Sequence, residues 1–155
     1  MAQRNSEYTR VPGDLYVTPE WVWAELRAVE PWALLAFDCA PVNPRFDFLD
    51  PDYVPPSDWL AANPPYGKAE AFCRKALSVA DRVAMLLPHA FDSAKGRVDL
   101  WEHPFKAKYT LTKRIRWDNL EQKKNGPSSN HAWFVWDSDF ERKPFMGWLP
   151  KAEAA

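Results

Sequence analysis

Residues 59–67, Trp59-Leu60-Ala61-Ala62-Asn63-Pro64-Pro65-Tyr66-Gly67, run from a short apolar stretch into an amide, two rigid prolines, an aromatic ring and a glycine. Lys68 to Ala80 then follows with the spacing of a helix. The polar tip therefore falls where a buried strand ends and a crossover begins. In open α/β sheets, ligands bind at that position, outside the carboxyl end of a strand. A Pro-rich turn that merely reverses the chain is the plainer reading of the same residues. Both stay open while the neighbouring segments are considered.

Length and composition narrow the choice. The chain has 155 residues, 46% hydrophobic and 15% aromatic, with nine Trp, which predicts one globular domain over 1–155. Residues 1–12 are polar and aperiodic, as expected of a loose arm, and residues 137–155 read as a tail with scattered aromatics. No stretch resembles a signal peptide, and no apolar run approaches membrane-spanning length. Cys39 and Cys73 are too few for a disulfide framework. A cytoplasmic protein with reduced thiols and no membrane partner is expected. His89, His103 and His131 have no ligand spacing with either cysteine, so no metal site is expected.

On the amino-terminal side of the tip, Thr18-Pro19-Glu20 has the makings of a helix start. Thr18 can cap, Pro19 suits the first helical position, and Glu20 favours the positive helix end. Val22, Leu26 and Val29 recur at helical spacing until Pro31. Trp32 to Phe37 is an apolar run of strand length that ends in Asp38-Cys39-Ala40-Pro41. An acidic residue at a strand's carboxyl end can contact a ribose hydroxyl or a cationic group, although a turn-capping Asp is commoner. Residues 41–57 carry five prolines, which argues against regular structure there. A long loop holding Phe46, Asp47, Phe48, Leu49 and Asp50 is more often functional than idle.

Beyond the tip, Ala69, Phe72, Cys73, Ala76 and Leu77 would face inward on the helix. Arg82 to Pro88 is a second buried strand, with His89-Ala90-Phe91-Asp92 as a second tip. Residues 93–103 look helical and bent near Gly96. Lys106 to Thr112 and Lys113 to Trp117 read as exposed strands. Asp118-Asn119 can turn, 121–130 is a polar loop, and His131 to Trp136 is the last core strand. Strands alternating with helices predict an α/β fold with a mostly parallel sheet.

Charge is uneven along the chain. Residues 1–60 hold four basic side chains against ten acidic ones. Residues 106–124 reverse this balance through Lys106, Lys108, Lys113, Arg114, Arg116, Lys123 and Lys124, interleaved with Tyr109 and Trp117. Such a block fits a phosphate-backbone contact surface, and equally a solvated strand pair with ordinary lysines.

The chemistry available to the tip follows from its atoms. A planar exocyclic amine is a poor nucleophile because its lone pair is delocalised into the ring. Two acceptors that take both N–H hydrogens would pull that nitrogen toward a tetrahedral shape and aim the lone pair. The side-chain oxygen of Asn63 and the carbonyl of Pro64 can supply them. The consecutive prolines Pro64 and Pro65 hold both acceptors in place beforehand. Tyr66 offers a stacking face for an extruded base. Neither Asn nor Pro is a general base, so catalysis would be positioning, and the electrophile must already be activated, as the methyl of S-adenosylmethionine is.

Asn63-Pro64-Pro65-Tyr66 resembles the catalytic motif of amino-methyltransferases acting on DNA adenine. TPEWVW (18–23), FDCAPVNPRFDFL (37–49), NPPYGKAEAFCRKAL (63–77) and VAMLLP (83–88) extend the resemblance to the phage and prophage DNA N6-adenine methyltransferase family, over roughly residues 16–136. The resemblance implies a catalytic tip at Asn63, Pro64, Pro65 and Tyr66. It implies S-adenosylmethionine as methyl donor, bordered by Thr18, Pro19, Asp38, Cys39 and Ala40, with Asp47 and Phe48 toward its nucleoside half. It also implies DNA as partner, double-stranded before RNA, met by Lys106, Lys108, Lys113, Arg114, Arg116 and Trp117, with Trp117 against the flipped base. A phage or prophage origin and a bacterial cytoplasm would follow.

The departures from that pattern shape the expected fold. None of the five glycines forms a G-x-G, so no Gly-rich donor loop exists. Residues 39–57 are too short for two further strand–helix units, since one crossover with its helix needs at least about 10–12 residues. A reduced Rossmann-like class I methyltransferase fold is therefore predicted, with about five mostly parallel strands and flanking helices. The 39–57 loop would form the donor-site wall, and no strand should occur within it. No separate target-recognition domain fits, so short-site specificity is expected, with readout by 89–105, 117–130, the basic block or the second subunit of a homodimer. Cytosine N4, RNA adenine and a protein glutamine amide are alternative acceptors. A non-catalytic nucleic-acid-binding subunit that keeps the fold is the alternative of another class.

Overall fold

Pro19 and Pro31 bracket the first helix, α1 (Glu20–Val29), which buries Val22 and Leu26 on one side. A computed structural model describes residues 17–43, 45–117 and 129–150. The 1–12 arm, the Asp118-Asn119 turn, Lys123, Lys124, most of the 121–130 loop and the end of the tail lie outside the described residues. Thr18 does not cap α1. Pro19 itself occupies the capping position, its carbonyl accepting Val22 N–H at 3.0 Å, and the Thr18 hydroxyl is engaged elsewhere.

The expected strand over Trp32–Phe37 is mostly a 3-10 helix, Pro31–Leu35, and only β1 (Phe37–Asp38) remains of it. Pro31 enforces a helical φ directly after α1, and the Trp32 indole donates to Glu30 at 2.8 Å, which winds the chain back on itself. Leu34 and Leu35 consequently stand 70% and 72% exposed rather than buried.

Between β1 and β2 (Trp59–Ala62) no described residue is in a strand, as the loop's length required. Asp38, Asn43, Asp47 and Asp50 each accept a main-chain N–H two residues on, at 2.9–3.0 Å. These local turns satisfy the backbone without a ladder. Tyr53 then locks the loop by edge contacts with Phe46 and Phe48, and Phe48 makes a 5.3 Å contact with Phe72. Phe72 lies on α2 (Ala69–Val79), which buries Ala69, Phe72, Cys73 and Ala76.

The remaining strands are β3 (Arg82–Pro88), β4 (Phe105–Leu111), β5 (His131–Asp137) and β6 (Phe145–Leu149). The six form one sheet in the order β1-β2-β3-β5-β4-β6. β1, β2 and β3 pair in parallel, β5 runs antiparallel to β3 and β4, and β6 returns parallel to β4. Five of the six strands among the described residues thus point the same way, in keeping with the expected sheet of about five mostly parallel strands. β6 lies in what the sequence suggested was a tail. Its Gly147 sits against the Tyr109 ring, where a Cβ would come within 2.8 Å of ring carbon Cδ1.

Both faces of the sheet are covered, which explains strands that read as continuous apolar runs. Leu60, Val83, Met85, Leu87, Phe134 and Trp136 pack toward α2 and the loop aromatics. Ala61, Ala84, Leu86, Trp133 and Val135 pack toward α1. The helical expectation for 93–103 resolves into two 3-10 helices, His89–Ser93 and Lys95–Trp101. Two expectations for the basic block are corrected. β4 is an interior strand that buries Ala107, Lys108, Tyr109 and Leu111, and Lys113–Trp117 is not a strand but a segment pinned by buried Ile115. No described helix is long and apolar enough to cross a membrane.

Candidate active site

The strand directions gather one set of termini at a single sheet edge. There lie the carboxyl ends of β1, β2, β3, β4 and β6 and the amino end of β5. Asp38, the Asn63–Tyr66 tip, His89, the 112–117 segment and His131 therefore share one rim.

Asn63 leaves β2 half-buried and donates Nδ2–H to the Thr18 hydroxyl at 3.1 Å. That bond occupies the amino end of the amide and turns the carbonyl oxygen Oδ1 away from Thr18. Pro64 and Pro65 are buried. The Pro65 carbonyl accepts Lys68 N–H at 3.0 Å and closes the turn into α2, so the Pro64 carbonyl stands before that turn. The amide oxygen and the Pro64 carbonyl, expected from the sequence as a pair of acceptors, thus come from a stretch fixed at both ends.

Tyr66 is half-buried, and its hydroxyl hydrogen-bonds His131 Nε2. Sequence reasoning missed His131, because a histidine that opens a strongly apolar strand looks like an ordinary core residue. It is 2% exposed. Burial lowers its pKa to about 4, with the Ser129 backbone opposing the shift, so the ring is neutral at pH 7. Tyr66 also lines a cleft of about 230 Å³ together with Ala69, Pro88, Ala90, Phe91 and Arg97. Arg97 lies 3.9 Å over the Phe91 ring and donates to the Phe91 carbonyl at 3.1 Å.

The residues expected at a donor site divide into two groups. Thr18 bonds Asn63 and Pro19 follows it, while Asp38 ends β1, and Ala40 and Asp47 follow in the loop. Asp38 as a residue faces solvent, yet its carboxyl is crowded enough that desolvation raises its pKa, against the lowering effect of its 2.9 Å bond from Ala40 N–H. Asp47 is exposed and holds Leu49 N–H. Cys39 and Phe48 are 0% and 1% exposed and belong to the core, so their side chains are closed to a ligand. Burial pushes the Cys73 thiol up to about 12 and Cys39 higher still.

The structure separates the basic block. Lys106 begins β4 at the rim opposite the tip and pairs with Glu30 at 2.8 Å. Lys108 is buried and ties Asp92, at 2.9 Å, and the His89 carbonyl to β4. Lys113, Arg114, Arg116 and Trp117 share the rim with the tip. Lys113 lies 5.1 Å over Trp21, Arg114 donates to Asn130 at 3.0 Å, and Trp117 meets His131 edge-on at 5.7 Å.

No family model and no curated protein matches the chain. A solved structure from Listeria monocytogenes, provisionally assigned to the class I S-adenosylmethionine-dependent methyltransferases, superposes with a TM-score of 0.45 at 12% identity. The overlap takes in 70% of this chain and 41% of that one. A likeness that loose says nothing about activity.

Proposed function

We propose that this protein is an S-adenosylmethionine-dependent methyltransferase acting on the exocyclic N6 of adenine in DNA. The observation that carries the reading is the Thr18–Asn63 hydrogen bond beside the buried Pro64-Pro65 pair. It holds the Asn63 amide by its amino end at the carboxyl end of a parallel strand, where ligands bind in such sheets, which supports the amide oxygen and the Pro64 carbonyl as a pair of acceptors. An adenine amino group offers two N–H donors to those two acceptors. Once both are engaged, the nitrogen lone pair is less delocalised and better aimed. Tyr66 supplies the stacking face, and the neighbouring cleft gives the base room to enter.

The methyl donor supplies an electrophile that is already activated, so the chain need not provide a general base or a metal. Thr18, Pro19, Asp38, Ala40 and Asp47 are the residues to hold it. The donor set suits the group. Asp38 and Asp47 each commit one oxygen to a local turn, which leaves the other for a ribose hydroxyl or a cationic amine. Lys113, Arg114 and Arg116 at the same rim favour a polyanionic substrate over a protein amide.

The test uses purified protein, labelled donor and duplex DNA, followed by nucleoside analysis. Labelled N6-methyladenine is expected. Label in N4-methylcytosine, in RNA or in protein would move the acceptor, and donor binding without transfer to any polymer would leave a nucleic-acid-binding subunit.

A further inference from the structure

His131 has no part in the chemistry assigned to Asn63 and Pro64, yet it sits where three elements of the rim meet. It opens β5 opposite Pro88, the last residue of β3. Its Nε2 meets the Tyr66 hydroxyl, and its ring lies edge-on to Trp117. The preceding residue, Asn130, accepts from Arg114 and through its carbonyl from His89 N–H at 2.9 Å. Tip, second tip and basic segment thus converge on two consecutive residues.

Burying an imidazole here has a cost that packing alone does not explain. At 2% exposure its polar atoms are cut off from water, with Nε2 at the Tyr66 hydroxyl and the Ser129 backbone beside the ring. A leucine would fill the place without that cost. What the imidazole adds is an anchor for a phenol. Tyr66 begins a 3-10 helix of only three residues, Tyr66–Lys68, directly after two prolines. The tip fixes its backbone, but torsions of the ring remain unless the far end of the side chain is held.

We propose that His131 is a positioning residue that holds the Tyr66 ring in the orientation needed to stack on the substrate base. This inference rests on the methyltransferase reading above. A neutral imidazole can accept the Tyr66 proton at Nε2 when Nδ1 carries the ring proton. The phenol is then tethered at both ends, by the Pro64-Pro65 backbone and by His131. The same ring meets Trp117, so the basic segment that would lie against the nucleic acid backs onto the anchor of the stacking residue.

A double-mutant cycle tests the coupling. Tyr66→Phe removes the hydroxyl and leaves the stacking face, and His131→Leu removes the acceptor. Each single change is expected to lower kcat/KM by about tenfold, carried mainly in KM, the worth of one modest hydrogen bond. The double variant is expected to be no worse than either single one. His131→Gln, which keeps a polar atom near the Nε2 position, should recover most of the loss. Histidine ¹⁵N shifts of the unmodified protein should report an Nε2 acceptor that changes in Tyr66→Phe. Losses that multiply to about a hundredfold, or Tyr66→Phe at the unmodified rate, would overturn the proposal even if His131→Leu fails to fold. No transfer by the unmodified chain would instead remove the methyltransferase reading, and the ¹⁵N shifts would still show whether His131 holds Tyr66.

Discussion

Asn63 and Thr18 form the pair on which the acceptor geometry depends, and they can be separated by substitution. Asn63→Ala removes one of the two acceptors and should abolish turnover. On the methyltransferase reading Asn63 addresses the amine, so calorimetric affinity for S-adenosylmethionine should stay within about twofold. Near-normal turnover in that variant would remove the mechanism. Thr18→Val keeps the side-chain shape but loses the oxygen that Asn63 Nδ2–H binds at 3.1 Å. With the amide free to rotate, kcat should fall by about tenfold, whereas Thr18→Ser should retain most of it. The difference in legibility between these two residues is instructive. The place of Asn63 at a strand's carboxyl end could be read from sequence, because an apolar run stops there at an amide and two prolines. Thr18 reads as a helix cap because Thr before Pro and Glu is a frequent start signal. The structure moves the cap one residue on to Pro19, which frees the hydroxyl for a partner 45 residues away. No local pattern encodes a contact of that separation, and the same holds for Tyr66 and His131, 65 residues apart.

The end of α1 illustrates how one buried carboxylate organises its neighbours. Glu30 is 1% exposed and accepts from the Trp32 indole, the Tyr109 hydroxyl and Lys106 Nζ at 2.8–2.9 Å. Together these join α1, the following 3-10 helix and β4. Glu30→Ala should destabilise the protein by about 3 kcal/mol in urea denaturation, since it strands a cation and two donors. Adding Lys106→Met should recover part of the loss, and a single variant as stable as the unmodified protein would show that the network carries little. The same network explains one misread segment and half of another. WALLAF looks like a strand by hydrophobicity, but Pro31 and the Trp32–Glu30 bond wind it into a helix that exposes Leu34 and Leu35. Lys106 and Lys108 look like phosphate contacts by charge, but buried Glu30 and the second-tip Asp92 claim them. Strand β6 escaped notice because Phe145-Met146-Gly147-Trp148-Leu149 is interrupted by a glycine. Only the Tyr109 ring packed beneath it makes that glycine intelligible. By contrast, β2, α2, β3 and β5 were legible, because a sheet covered on both faces demands long apolar runs.

The sheet keeps the strand-end rim of an open α/β fold, and among the described residues no strand lies beyond β1. The short Asx-turned loop stands there instead, packed on α2 through Phe48 and Phe72. Such an arrangement makes the rim a meeting point of elements distant in sequence, so its integrity should register in global stability, and His131 offers a way to measure it. The folded-state pKa of His131 is lowered from 6.5 to about 4. Between those values the unfolded chain binds a proton that the folded protein refuses, so stability falls as pH decreases. The contribution is fully present above about pH 6.5 and exhausted near pH 4, a total of up to about 3 kcal/mol. Two carboxylates act in other ways. Asp99 is held below its usual range by Arg74, so its contribution is lost only at more acidic pH than that of His131. Asp38, raised by desolvation, takes up its proton more readily when folded and opposes the decline. Urea unfolding at pH 7, 5.5 and 4.5 should therefore show a steady loss of stability in the unmodified protein. His131→Gln should flatten the curve over that interval, because the titrating group is gone while a polar contact to Tyr66 remains. A curve with the same slope in both proteins would mean that His131 takes up its proton as readily in the fold as in the unfolded chain, and that burial of the ring does not oppose its charging.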